Sequence, residues 1–73
     1  MLPLGTYRHY TGKKYNVLGV AKYSETLEEM VVYEALYDNE VSQLWVRPLK
    51  MFLEDVEIDG KKVPRFAFGD GSQ

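Results

Sequence analysis

Gln43-Leu44-Trp45-Val46-Arg47-Pro48-Leu49-Lys50-Met51-Phe52 is the stretch on which the fold turns. It holds the only tryptophan of the chain, an arginine two residues on, and a proline. The residue before a proline is held in extended geometry, so Gln43 to Arg47 reads as a strand. Side chains alternate along a strand, which puts Trp45 and Arg47 on one face. Proline suits the first turn of a helix. Leu49 to Leu53 is therefore expected to make one short turn, of 3₁₀ type.

Upstream of that stretch the same period of two recurs. Thr6 to Tyr10 reads as a short strand, closed by a turn at Thr11-Gly12-Lys13-Lys14. Tyr15 to Tyr23 is a longer strand, with Tyr15, Val17, Ala21 and Tyr23 on one side and Leu18 and Val20 on the other. Gly19 in its middle predicts a bend. Ser24 to Glu29 breaks the pattern and reads as a loop or a single turn. Met30 to Tyr37 carries Val31, Tyr33, Ala35 and Tyr37 on one face, and Asp38-Asn39-Glu40 is a turn. Downstream, Val56 and Ile58 alternate with acidic residues, and Asp59-Gly60 is a tight-turn signal. Val63 to Phe66 returns, and Pro64, which has no N–H to donate, assigns it to an edge. The fold class is mainly β: a small five-stranded SH3-type barrel with one short 3₁₀ turn after the fourth strand. An OB-type barrel is the rival, but it requires a longer chain and a real helix. The chain reads as a single domain over residues 1–73, with an ordered core over 5–67 and a tail over 68–73.

A chain of 73 residues has room for one domain. At that size only about 60% of the unfolded surface is buried, so the stability margin is thin. There is no cysteine, which removes disulfides and thiolate metal sites, and a single histidine. Six tyrosines, three phenylalanines and one tryptophan must supply the packing. Nine basic against eleven acidic side chains give a net charge of −2, which disfavours a dedicated nucleic-acid binder. No apolar run approaches the roughly 20 residues of a membrane span. Met1-Leu2-Pro3-Leu4-Gly5 lacks the charged and apolar regions of a signal peptide. A cytoplasmic protein, monomeric or weakly self-associating and without membrane contact, is the expectation.

No phosphate-cradling loop, Ser-His-Asp arrangement or metal-ligand spacing occurs, and no cofactor or metal is expected. The candidate ligand-binding residues are Tyr7, His9, Trp45, Arg47 and Arg65, gathered at the barrel mouth. Trp45 offers a stacking plate and Arg47 an anion-binding fork. Glu25 is the candidate carboxylate that holds an arginine in place. The alternative for each is structural: His9 hydrogen-bonded within an aromatic core, Trp45 packed, and Arg47 paired with Glu25 or Glu54. Tyr15, Tyr23, Tyr33 and Tyr37 read as core and barrel-mouth packing rather than a binding cage.

Gly5-Thr6-Tyr7-Arg8-His9-Tyr10-Thr11-Gly12, Val17 to Ala21, Ser24 to Glu28, Leu44-Trp45-Val46-Arg47-Pro48 with Met51-Phe52, and Val63-Pro64-Arg65-Phe66 together resemble the family called domain of unknown function 1653 (DUF1653). Val31-Val32-Tyr33 and Ala35-Leu36-Tyr37 extend the resemblance across residues 5 to 66. The resemblance implies a short bacterial protein with an SH3-like barrel and supplies no activity. Thr11 stands where the family often has Lys, and Tyr23 where it often has His.

Four readings of function follow. The first is a non-catalytic binding module that takes a small planar or anionic ligand, or a peptide, through an aromatic and arginine site. The second is a structural or protein–protein interaction domain with no small-molecule site. A nucleic-acid-associated barrel comes third. An enzyme acting through His9 and Glu25 ranks last, because one histidine in a cysteine-free chain leaves few chemistries.

Overall fold

Val31, Tyr33 and Ala35 are buried while Met30, Val32 and Glu34 between them are half-exposed, the period-two pattern of a strand packed on one side. They lie on β3 (Glu29–Ala35), an inner strand of a computed structural model that describes residues 2–69. The other elements are β1 (Gly5–His9), β2 (Lys14–Lys22), β4 (Leu44–Pro48), the single helical turn α1 (Leu49–Phe52), β5 (Asp55–Ile58), β6 (Lys61–Pro64) and β7 (Phe66–Phe68). Five strands form one antiparallel sheet in the order β4-β3-β2-β1-β7, and β5 and β6 form a separate hairpin.

The class is mainly β, as the alternation predicts, but the sheet does not close into a barrel. β4 and β7 remain its two edges. Side chains bridge them in place of a hydrogen-bond ladder: the Arg47 guanidinium of β4 lies over the Phe66 ring of β7, 5.6 Å from its centroid. The return segment predicted as one strand divides at Arg65. Its N–H donates to the Glu54 carbonyl just before β5, and its carbonyl accepts from the Tyr10 N–H on the β1 side. One kinked run of chain thereby serves both sheets, and the last strand reaches Phe68, inside the segment expected to be tail. Residues 70–73 of that segment lie outside the described residues.

The bend expected at Gly19 is a β-bulge. Val17 faces Tyr33 and Gly19 faces Val32, so Leu18 has no partner. The bulge reverses the alternation, which a uniform period of two misses. Val17 and Val20 both lie opposite buried residues, Tyr33 and Val31, and so share the inner face.

Pro48 ends β4 opposite Met30, and the chain then makes its one helical turn. The Leu53 N–H donates to the Leu49 carbonyl at 3.0 Å, an α-type bond rather than the expected 3₁₀ type, and the Glu54 N–H to Met51 at 3.2 Å closes it more tightly. Its purpose is visible in one side chain. Phe52 is buried and stacks on Phe66, with centroids 4.1 Å apart and planes 7° from parallel. Tyr7, Val17, Val31 and Tyr33 complete the core, with Leu2, Tyr15, Trp45 and Leu49 packed around it.

The hairpin turn at Asp59-Gly60 has positive φ at both residues, 51° and 79°, as a two-residue turn of type I′ requires. A Cβ on Gly60 would meet nothing within 4 Å, so only the backbone conformation opposes a side chain there. Gly60→Ala is expected to lower stability by about 1–2 kcal/mol. Gly19 has equal space but lies outside the left-handed region. Gly19→Ala is therefore expected to be neutral or to stabilise by about 0.4–1 kcal/mol. Urea midpoints of the two variants check the contrast; equal midpoints would contradict the turn assignment.

Candidate ligand-binding pocket

Tyr33 lies opposite Trp45, Val31 opposite Arg47, and Ala35 opposite Tyr15. Residues paired across antiparallel strands share a face, so Tyr15, Tyr33, Trp45 and Arg47 all rise from the inner side of the sheet. Ala35 carries only a methyl beside Tyr15, which leaves room above it. Tyr37, just past the end of β3, closes one side. The result is a depression of about 290 Å³ lined by these four residues and Tyr37, with Asn39 and Val41 at its rim.

Its walls are locked edge to face. Tyr15 meets Tyr33 at 5.2 Å and 89°, and Tyr37 at 5.6 Å and 80°. The Tyr15 and Tyr37 hydroxyls share a hydrogen bond of 2.9 Å, and Asn39 Nδ2 donates to the Tyr37 hydroxyl at 3.4 Å. Burial first, and then that bond to Tyr37, push the Tyr15 hydroxyl well above its ordinary pKa, so it stays a neutral donor or acceptor.

Two groups here keep unused hydrogen-bonding capacity, and of the two only Arg47 can offer it to the pocket. Trp45 Nε1 is buried with no acceptor among the described residues. Arg47 is half-buried, and its Nε donates to the Tyr33 hydroxyl at a long 3.4 Å. It meets no carboxylate: the one ion pair among the described residues joins Arg65 Nη2 to Glu54 Oε1 at 3.3 Å. Lys13 Nζ sits 4.5 Å from the centroid of the Tyr37 ring.

The sequence-predicted set divides on inspection. Trp45 and Arg47 share the pocket. Tyr7 does not reach it. Tyr7 is buried in the core, edge-on to Phe52 and Phe68 at 5.2 Å each, and its hydroxyl donates to the Pro3 carbonyl at 2.7 Å. Burial on an inward position of β1 consumes both its ring and its polar end. Glu25 holds no arginine. It is exposed in the β2–β3 connection, and Glu54, brought beside Arg65 by the hairpin ladder, takes that role. Arg65 does not line the pocket, and its Nε is buried and unpartnered among the described residues.

His9 stands between these groups without lining the pocket. Its ring packs against Phe66 at 4.8 Å, Tyr10 at 4.5 Å and Tyr15 at 6.3 Å. Nδ1 lies 2.7 Å from the Thr11 hydroxyl and 3.3 Å from the Thr11 N–H, which donates to it in the tautomer that carries the ring proton on Nε2. Burial foremost, then the charges of Arg47 and Arg65, hold its pKa below the ordinary value. The consequence has a definite sign. Above pH ~6.5 His9 is neutral in both folded and unfolded chains. As pH falls below that, the unfolded chain takes up a proton first, so stability falls until folded His9 titrates. Urea titrations from pH 7.5 to 5.5 should show this loss in the parent and its removal in His9→Gln; parallel profiles would contradict it.

Tyr15, Tyr33 and Tyr37 are the pocket residues that the sequence reading assigned to packing. The signal was present: Tyr33 and Tyr37 share the face of Val31, and a short connection to the Trp45–Arg47 strand brings the two faces together.

Fold and pocket together define a small mainly β domain whose open sheet curls over a single helical turn. The chain belongs to DUF1653, a family of proteins of unknown function, whose model matches residues 5–68. A crystal structure of a DUF1653 protein from Bordetella bronchiseptica is similar, with a TM-score of 0.89 and 38% identity over 93% of this chain and 87% of that one. No curated protein matches. No helix among the described residues is long and apolar enough to cross a membrane.

Proposed function

We propose that this domain is a non-catalytic binding module whose Tyr15–Tyr33–Tyr37–Trp45–Arg47 pocket takes a small planar or anionic ligand. One observation carries the reading: the half-buried Arg47 guanidinium faces a pocket walled by aromatic rings and meets no carboxylate among the described residues. A hydrogen bond from a charged donor such as this guanidinium to a ligand oxygen contributes about 1.5–3 kcal/mol. The flat walls favour a ring.

A thermal-shift screen against nucleotides, modified nucleosides and aromatic acids tests it. A ligand at 100 times its Kd stabilises by about 2.7 kcal/mol. For a domain of this size that corresponds to a rise in Tm of about 10–20 °C. Arg47→Ala and Trp45→Ala should fold and lose the shift. Variants that fold and shift like the parent would remove the pocket from consideration.

A second reading rests on a different surface. His9, Tyr10, Ile58, Val63, Pro64 and Phe68 line an apolar cleft of about 400 Å³ between the hairpin and the β1–β7 pair, with Arg8 beside them. It suits a protein-interaction domain, engaging another protein or a second copy of this chain. Sedimentation across concentration, with Phe68→Asp as the control, separates the two readings. A strict monomer that captures no protein would count against this one.

A further inference from the structure

An aromatic bowl of this kind would ordinarily suit a cation, attracted to the ring faces. Here the charges exclude one. Arg47 lines the bowl, Lys13 lies over the Tyr37 ring, and no carboxylate lines it. Its volume of about 290 Å³ is at the lower end for ligand sites, enough for one ring and an acid group rather than an extended peptide.

Phe66 connects this site to His9. The His9 ring meets Phe66 at 4.8 Å and the Arg47 guanidinium lies over the same ring at 5.6 Å, while Tyr15 touches His9 on one side and lines the pocket on the other. The surroundings of His9 can be named element by element. Arg8 and Tyr10 flank it in sequence, Thr11 holds Nδ1 from the turn, and Lys13 accepts its backbone N–H. Tyr15 comes from β2, Arg47 from β4, and Arg65, with Glu54 paired to it, from the junction of β6 and β7. In that shell the cations outnumber the one paired carboxylate.

We infer that the pocket binds a flat ring bearing a single acidic group, and that the domain takes up a proton at His9 as it does so. The inference rests on the binding reading above. An anion on Arg47 offsets the positive field that disfavours imidazolium, so His9 becomes more basic in the complex. Linkage is reciprocal: whatever raises the proton affinity of His9 makes protonated His9 raise the affinity for the anion. Binding therefore tightens as pH falls through the range of His9 titration.

Benzenesulfonate is the probe, a planar anion that remains ionised throughout the range, and the single tryptophan lines the site, so its fluorescence reports binding. Affinity is expected to rise about fivefold from pH 7.5 to 5.5, the low end of typical coupling. The profile should flatten in His9→Gln. Without any ligand, Arg47→Gln should raise the His9 midpoint followed by NMR of the one imidazole, because a neighbouring cation has gone. Benzenesulfonate that fails to bind at either pH overturns both this inference and the binding reading. Binding with a flat profile in the parent, an equally steep profile in His9→Gln, or an unmoved midpoint in Arg47→Gln overturns the proton linkage alone.

Discussion

Phe52→Ala is expected to cost about 3–5 kcal/mol, the largest loss from any truncation on α1. A 73-residue domain at about 0.05–0.15 kcal/mol per residue holds about 4–11 kcal/mol in total. The one substitution therefore removes a large part of the stability, and at the low end all of it. The reason is local. α1 has four residues, no side-chain cap, and only Phe52 buried. A helix that short has no stability of its own, so Phe52 is what anchors the turn under the sheet. Removing the ring also deprives Phe66 of its stacked neighbour and Tyr7 and Tyr33 of contacts at 5.2 Å and 5.9 Å. Urea unfolding followed by near-ultraviolet circular dichroism measures the effect. Phe52→Leu, which keeps most of the volume, should recover most of the loss. A Phe52→Ala penalty below about 1 kcal/mol would mean that α1 merely decorates the surface.

Much of the fold was legible because it depends on local signals. The proline at 48 marks where β4 stops, alternation over Val31 to Ala35 identifies the inner face, and Asp59-Gly60 fixes the hairpin turn. What was not legible depends on long-range pairing. Nothing near Leu18 announces that the strand inserts one residue and reverses its faces; that is decided by the register with β3. The division of the return segment at Arg65 is likewise a competition between two partners, Glu54 and Tyr10, that lie far from each other in sequence. Closure is a property of the whole sheet. Its edges are joined by Arg47 and Phe66 side chains, and an alternation pattern carries no information on whether a ladder forms there.

The pocket shows the same division. Trp45 and Arg47 share a face by periodicity alone, and the structure agrees. Tyr7 has the same credentials in sequence but sits where the sheet is covered by Phe52, so its hydroxyl is turned to Pro3 instead. The choice of Glu25 over Glu54 as a partner for an arginine could not be made from sequence spacing. Glu54 follows α1 directly, and it reaches Arg65 only because the β5–β6 ladder extends to that pair.

Tyr33 is where core and pocket meet, and its two substitutions should separate them. Tyr33→Ala is expected to cost about 3–5 kcal/mol, comparable to Phe52→Ala, because a buried ring is lost from the middle of β3. It contacts Tyr15 at 5.2 Å, Phe66 at 5.7 Å and Phe52 at 5.9 Å, so the collapse reaches both the pocket wall and the helical turn. Tyr33→Phe keeps every ring contact and deletes only the hydroxyl that accepts from Arg47 Nε. At 3.4 Å that bond is long, and its net worth lies toward the low end of about 0.5–1.5 kcal/mol. The folded state should therefore survive with a small drop in urea midpoint. The guanidinium, however, loses its hydrogen bond and keeps only the Phe66 ring beneath it, and with that bond goes part of its preorganisation. Benzenesulfonate binding, read from Trp45 fluorescence, is expected to weaken about threefold to fivefold while stability barely moves. If Tyr33→Phe destabilises as much as Tyr33→Ala, the hydroxyl belongs to the core. If it leaves binding unchanged, Arg47 needs no tether, and the Tyr33 hydroxyl has no part in positioning the anion.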